Sequence, residues 1–398
     1  MEGVDIKIGV LIPNISLGGA SKVALNQTKY FDRNGYEAKL LTLSPLKLEG
    51  LECMNIGFGI RLPVMKTSIP VLINIIWGRN FRKMDLDLIV AHGIASILAL
   101  KMKKKYGIRY VNYIHHPNSF LHGTPIHEGE ERNILGPLSA YPLKLLWNKH
   151  KLAEEDIESI KSADYNFVNS KRTLDFMFKI YGNIKASVCY PAIDDEFHEV
   201  TPRLEYKGKY VLYSSRHVKQ KGFHLLPEIF SKINNEAKLV LAGKPTNLTK
   251  TVLKEFKKLG LIDRIILKMN VSTQELIELY SKCRVLLFPA IKEDFGLSPL
   301  EGMATGCIPV AWNDGGGVEE IIQNYKTGLL AKPYDIDDYA LKVNSLLTNN
   351  EQYLAILNEA KRFSKNFSWD LHVKKIIDEG ISGRTLCNNV NCTCNFHH

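Results

Sequence analysis

Long apolar runs are missing from this 398-residue chain. The longest, residues 69–77, is interrupted by Pro70 and Asn74 and falls well short of the roughly 20 residues that a membrane helix needs, so any membrane contact is expected to be peripheral. The opening MEGVDIKIGVLIP lacks the basic-then-apolar layout of a secretory leader and reads as an immediate strand, which points to a cytoplasmic protein. Cysteine forms no disulfide framework. Cys53, Cys189, Cys283 and Cys307 are scattered through core-like sequence, where reduced buried thiols are the rule. The remaining three crowd a C-terminal stretch with His397 and His398, suitable ligand types for zinc in a spacing unlike the paired zinc sites, so 383–398 read as a disordered tail. Nowhere do basic and aromatic residues interleave as in a nucleic-acid module. The 52 basic and 42 acidic residues leave a net charge of +10 that is spread along the chain, which favours phosphorylated ligands or an anionic surface without specifying either.

What the chain does have is rhythm. Short apolar runs at 6–12, 38–43, 86–91, 110–114 and 165–168 alternate with helical stretches such as 21–34 and 143–162. After a polar segment at 198–209 the same alternation restarts at 210–214, 238–242, 264–267, 284–288 and 308–311. Nearly continuous apolar strands joined by helices predict parallel sheets covered on both faces, hence two doubly wound Rossmann-like α/β domains. Ligands of such sheets bind beyond the carboxyl ends of the strands, so the cleft between the domains is the expected site.

The densest chemistry lies in FPAIKEDFGLSPLEGMATGCIPVAWNDGGGVEEII, residues 288–322. Glu293 and Glu301 stand eight apart around Phe295, Gly296 and Leu297, with Ser298-Pro299 as a candidate helix start. Free amides at a helix start attract phosphate, and a nearby carboxylate accepts from sugar hydroxyls, chemistry suited to a nucleotide-sugar. The competing local reading is a capping box, in which Glu301 bonds the N-cap amide of its own helix. Glu319, after Gly315-Gly316-Gly317, is a weaker candidate that equally favours its own helix start. Gly18-Gly19, between the first strand and helix, could let amides approach an anion, or simply serve a tight turn. Arg216 and Lys221 after the strand at 210–214 could neutralise a departing diphosphate, or form a solvated cluster. His115 ends a strand where an imidazole could face the cleft, and His92 is a second such candidate.

Together, Gly18-Gly19, His115, the Arg216 and Lys221 pair, and the E-x7-E pair Glu293 and Glu301 resemble the retaining GT-B glycosyltransferases of family GT4. Pro191-Ala192-Ile193-Asp194 with Phe197, and Phe367-Ser368-Trp369, resemble that family's end of the first domain and its approach to the terminal helix. The resemblance covers about residues 5–380. It implies an acceptor-binding domain at 1–200, a nucleotide-sugar domain at 201–366 and a terminal helix at 367–382 crossing back to the first domain. By the same resemblance Glu301 holds the ribose, Glu293 contacts the sugar, Arg216 and Lys221 hold the diphosphate, Gly18 and Gly19 complete its cradle, and His115 lies near the reacting sugar. It further implies a UDP- or GDP-linked sugar as co-substrate, a glycan, lipid-linked or small-molecule acceptor, no other cofactor and no metal. Two departures stand out: Ser214-Ser215 where relatives have Gly before the Arg, and Gly302 where Ala is usual, which leaves the helix geometry there open. A catalytically silent sugar-nucleotide-binding or scaffold protein is the alternative reading. The triplet Asp85-Leu86-Asp87 matches the metal-binding pattern of the other glycosyltransferase architecture, yet it introduces a predicted strand and is common by chance.

Overall fold

A computed structural model describes residues 6–15, 18–43, 47–48, 50–57, 84–122, 149–202 and 209–380. Its first sheet is built from β1 (Lys7–Leu11), β2 (Glu37–Thr42), β3 (Cys53–Asn55), β4 (Leu88–His92), β5 (Arg109–Ile114), β6 (Tyr165–Val168) and β7 (Ala186–Val188). The order is β3-β2-β1-β4-β5-β6-β7, with every pairing parallel. The second sheet comprises β8 (Tyr210–Ser214), β9 (Lys238–Gly243), β10 (Ile265–Met269), β11 (Val285–Phe288), β12 (Ile308–Trp312) and β13 (Leu329–Ala331). Its order, β10-β9-β8-β11-β12-β13, is again all parallel. In each sheet the strand order reverses once, between β1 and β4 and between β8 and β11. A crevice forms at such a switch point because the connections on either side leave in opposite directions.

Strands β4, β11 and β12 are buried along their whole length, which is why they read as apolar runs, broken only by His92 at the end of β4. Three strands escaped the sequence pattern: β3, β7 and β13 have only three residues each, too few to display a period. The helix expected at 143–162 is described as Lys149–Lys161; residues 143–148, the run at 69–77 and the Cys/His tail lie outside the described residues.

The helix Trp369–Gly380 packs into the first domain's core, where Trp369, Val373 and Ile376 join Ile8, Phe31 and Val111. Tyr30, on the helix Gly19–Arg33, lies with its ring 6.2 Å from that of Trp369. Each such large apolar side chain contributes about 1.5–3 kcal/mol by leaving water, so the returning helix is a fixed wall of the first domain. Among the described residues, no helix is long and apolar enough to cross a membrane.

Candidate functional site

Between the two sheets lies a cleft of about 690 Å³. Of the residues singled out for it from sequence, His92 and Glu319 do not line it, whereas Gly18, Gly19 and His115 line it on the first-domain side, and Arg216, Lys221, Glu293, Phe295, Gly296, Leu297 and Glu301 on the other. Each follows the carboxyl end of a strand, so the two switch points face one space.

Gly18 caps the helix Gly19–Arg33 in an extended conformation that any residue can adopt, with φ −179°. Among the described residues, a Cβ at Gly18 would meet nothing within 4 Å, and one at Gly19 would meet only Leu297, at 3.8 Å. The tight-turn explanation therefore fails for Gly18. What the glycines leave open is cleft space beside the first amides of a helix, where an anion is favoured.

Lys22, one turn further on, reaches across the cleft. Its Nζ donates to Glu301 Oε1 at 2.9 Å and lies 3.2 Å from Asp194 Oδ2. Burial works against the ammonium charge, but Glu301 and Asp194 outweigh it and push the pKa up. The Tyr280 hydroxyl donates to Glu301 Oε2 at 3.0 Å. The capping-box reading of Glu301 is thereby overturned: its carboxylate points away from its own N-terminus. The helix runs Leu297–Thr305, and its N-cap is Gly296, not Ser298; Ser298 Oγ instead donates to Ser214 O at 3.0 Å. Gly296 has φ +101°, a conformation that only glycine adopts cheaply. The helix stays regular at Gly302, and a Cβ there would stand 2.5 Å from Cys307 O, which explains glycine where alanine was expected.

Glu293 forms an ion pair with Lys221 Nζ. Arg216, by contrast, is exposed and takes no side-chain partner among the described residues. Phe295 lines the cleft yet is buried, its ring stacked on Tyr190 at 5.7 Å and tilted against Phe367 at 6.1 Å, so its contribution to the site is structural.

His115 is held by His92, which is buried behind it: His115 Nε2 and His92 Nδ1 are 3.1 Å apart. Burial pushes the pKa of His115 down to about 4 and that of His92 well below its ordinary value, so both rings are neutral at pH 7. Glu319 turns back on its own loop and accepts from Gly315 N, as the local reading expects. Asp85 and Asp87 both bind Lys7 at the start of β1, the end of the sheet remote from the cleft, which disposes of the metal-triplet reading.

Sequence reasoning missed the residues that tie the domains together. Glu320 accepts from the amides of Lys171 and Arg172 at 2.9 and 3.1 Å and from the Tyr190 hydroxyl at 2.9 Å. His116 Nδ1 lies 3.2 Å from Asp294 Oδ2. Such pairs lie more than a hundred residues apart in sequence, and no local pattern marks them.

Comparison with known proteins follows the same division. Residues 17–197 match the Glycosyltransferase Family 4 model and residues 194–366 the model for glycosyl transferases group 1. The chain belongs to glycosyltransferase family 4. Among curated relatives, an uncharacterised glycosyltransferase of Methanocaldococcus jannaschii is 32% identical over 42% of this chain and 47% of its own length. A D-inositol 3-phosphate glycosyltransferase of Corynebacterium urealyticum is 21% identical over 91% of this chain and 90% of its own. Against that archaeal relative the match spans about half of the protein's length. The Anabaena protein HepE, solved with UDP and glucose, superposes with a TM-score of 0.71 at 16% identity, covering 95% of this chain and all of its own. That agreement establishes the GT-B fold: two Rossmann-like domains facing a cleft.

Proposed function

We propose that this family 4 glycosyltransferase moves a hexose from a UDP- or GDP-linked donor to a hydroxyl of a glycan, lipid-linked or small-molecule acceptor, with retention of anomeric configuration. One observation carries the reading. In a cleft where Lys22 is paired with Glu301 and Lys221 with Glu293, the Arg216 guanidinium stands exposed without a side-chain partner among the described residues, opposite the helix start at Gly18-Gly19. A diphosphate would supply the missing charge and accept from the free amides.

In this reading Glu301 accepts from the ribose hydroxyls and Glu293 from the sugar, while Arg216 and Lys221 hold the diphosphate. The acceptor oxygen forms its bond to the anomeric carbon from the leaving-group face. As the bond from that carbon to the diphosphate breaks, the electron pair stays on the phosphate oxygen, which takes the acceptor's proton. Fixed positive charge facing developing negative charge is worth about 3–4 kcal/mol per donor in such steps. Side chains carry that charge here, so transfer should persist in EDTA; strict dependence on Mn²⁺ or Mg²⁺ would contradict the assignment. A lipid-linked acceptor would place the enzyme at the cytoplasmic face of a membrane, a contact for which the spread net charge of +10 is suited.

The test is the product. An anomeric proton coupling that matches the donor's configuration supports retention, and an inverted one rejects it.

A further inference from the structure

Behind His115 lies a chain of buried polar groups that the transfer step does not itself use. His115 Nε2 meets His92 Nδ1 at 3.1 Å; His92 Nε2 meets Gln27 Oε1 at 2.7 Å; Gln27 Nε2 meets His372 Nε2 at 2.9 Å; and His372 Nδ1 meets the backbone carbonyl of Tyr190 at 2.7 Å. Gln27, His92 and His372 are each at most 3% exposed. The chain joins the helix Gly19–Arg33, β4, the loop after β5 and the returning helix Trp369–Gly380.

Its direction is determined at one end. A carbonyl oxygen only accepts, so His372 carries its proton on Nδ1. Burial pushes the pKa of His372 down to about 4, so the ring is neutral and Nε2 is an acceptor. Gln27 then donates through Nε2, and its Oε1 accepts the proton of His92 Nε2. That leaves His92 Nδ1 bare, and it accepts from His115 Nε2. A flipped Gln27 amide would set its oxygen against the bare nitrogen of His372, so the reverse chain is blocked.

We propose that the Tyr190 carbonyl, acting through His372, Gln27 and His92 as positioning residues, fixes His115 as the Nε2–H tautomer and leaves its Nδ1 as a hydrogen-bond acceptor for a substrate hydroxyl. The substrate part rests on the transferase reading above; the tautomer part does not. His115 lines the cleft, and among the described residues its Nδ1 has no hydrogen-bond partner. A bare nitrogen accepts from a neutral sugar hydroxyl and repels a carboxylate, so the preferred donor sugar is a hydroxylated hexose and not a hexuronate.

The experiment is a long-range ¹H–¹⁵N correlation on full-length protein labelled at histidine, with resonances assigned from single-histidine variants. His115 and His92 should show protonated Nε2 and His372 protonated Nδ1. Gln27→Leu cuts the chain: His372 should keep its tautomer, His115 should become a mixture, and kcat should fall about 3–10-fold, the worth of one net hydrogen bond, with donor-induced thermal stabilisation retained. Gln27→Glu supplies acceptors to both neighbours, so it should restore the His115 tautomer relative to Gln27→Leu while His372 becomes doubly protonated. That second variant keeps the test alive if Gln27→Leu does not fold. A proton on His115 Nδ1 in the wild type, or a His115 tautomer unchanged by Gln27→Leu, overturns the proposal. The predicted tautomers in a protein that turns over no sugar nucleotide would leave the relay standing and remove the transferase reading instead.

Discussion

Lys22 Nζ stands 2.9 Å from Glu301 Oε1, so an ammonium from the first domain occupies the carboxylate assigned to the donor's ribose in the second. The pair closes the cleft and competes with the ligand. Glu301 is 5% exposed and, among the described residues, would keep only Tyr280 as a side-chain partner if Lys22 were lost.

Lys22→Met should therefore lower stability by about 1–3 kcal/mol, the cost of leaving a buried acceptor under-satisfied, with the lower end favoured because Lys22 is part-exposed. A nucleoside diphosphate should then stabilise the variant by more than it does the wild type. Thermal melts with and without UDP or GDP read both effects, and an unchanged melting temperature would show that the pair is idle.

Gly18→Ala tests the meaning of the open space. None of the described residues comes within 4 Å of the added methyl, so the melting temperature should hold. Stabilisation by the donor should drop sharply, because the methyl occupies the approach to the helix start. Undiminished stabilisation would assign Gly18 to nothing more than chain geometry.

Acid should destabilise the protein in a defined window. His92, His115 and His372 have folded-state pKa values depressed by burial, to about 4 for the latter two. Their unfolded forms take up protons near pH 6.5 while the folded forms do not. Stability is thus fully present above about pH 6.5 and falls as pH drops towards 4, by up to about 1.4 kcal/mol per pH unit for each ring. Urea midpoints measured from pH 7 to 4.5 would show the decline, and His372→Gln should flatten it.

Glu320 links the helix Lys171–Tyr181 of the first domain to the second domain's loop through two amides and the Tyr190 hydroxyl. Glu320→Ala removes a cap worth about 1 kcal/mol and loosens the junction. Small-angle scattering should give a larger radius of gyration for the variant, and an identical curve would show that the remaining contacts suffice.

The parallel sheets were legible because fully buried strands such as β11 and β12 are apolar at every position, which leaves no alternation to mistake for an antiparallel sheet. The cleft residues were legible because a doubly wound fold sends each strand's carboxyl end to the same edge. Partnerships were not. Glu301 looked like a cap because sequence shows its neighbours at three and four positions, whereas its partner Lys22 is 279 residues away. The partner of Glu293 was hidden for the same reason, since Lys221 lies 72 residues away and is brought to it by the pairing of β8 and β11. The histidine chain draws on four separate segments, and no spacing within any of them announces it.

The central claim is that the Arg216 side receives the diphosphate and Glu301 the ribose of a nucleotide-sugar. The most direct measurement is thermal stabilisation by a panel of UDP-, GDP- and ADP-sugars, for the wild type beside Arg216→Ala and Glu301→Ala. A ligand at 100 times its dissociation constant adds about 2.7 kcal/mol. The account predicts one clear hit among the donors, lost in both folded variants, with turnover in Arg216→Ala down by about 100-fold or more. A donor that stabilises Arg216→Ala and Glu301→Ala as well as it does the wild type would contradict it.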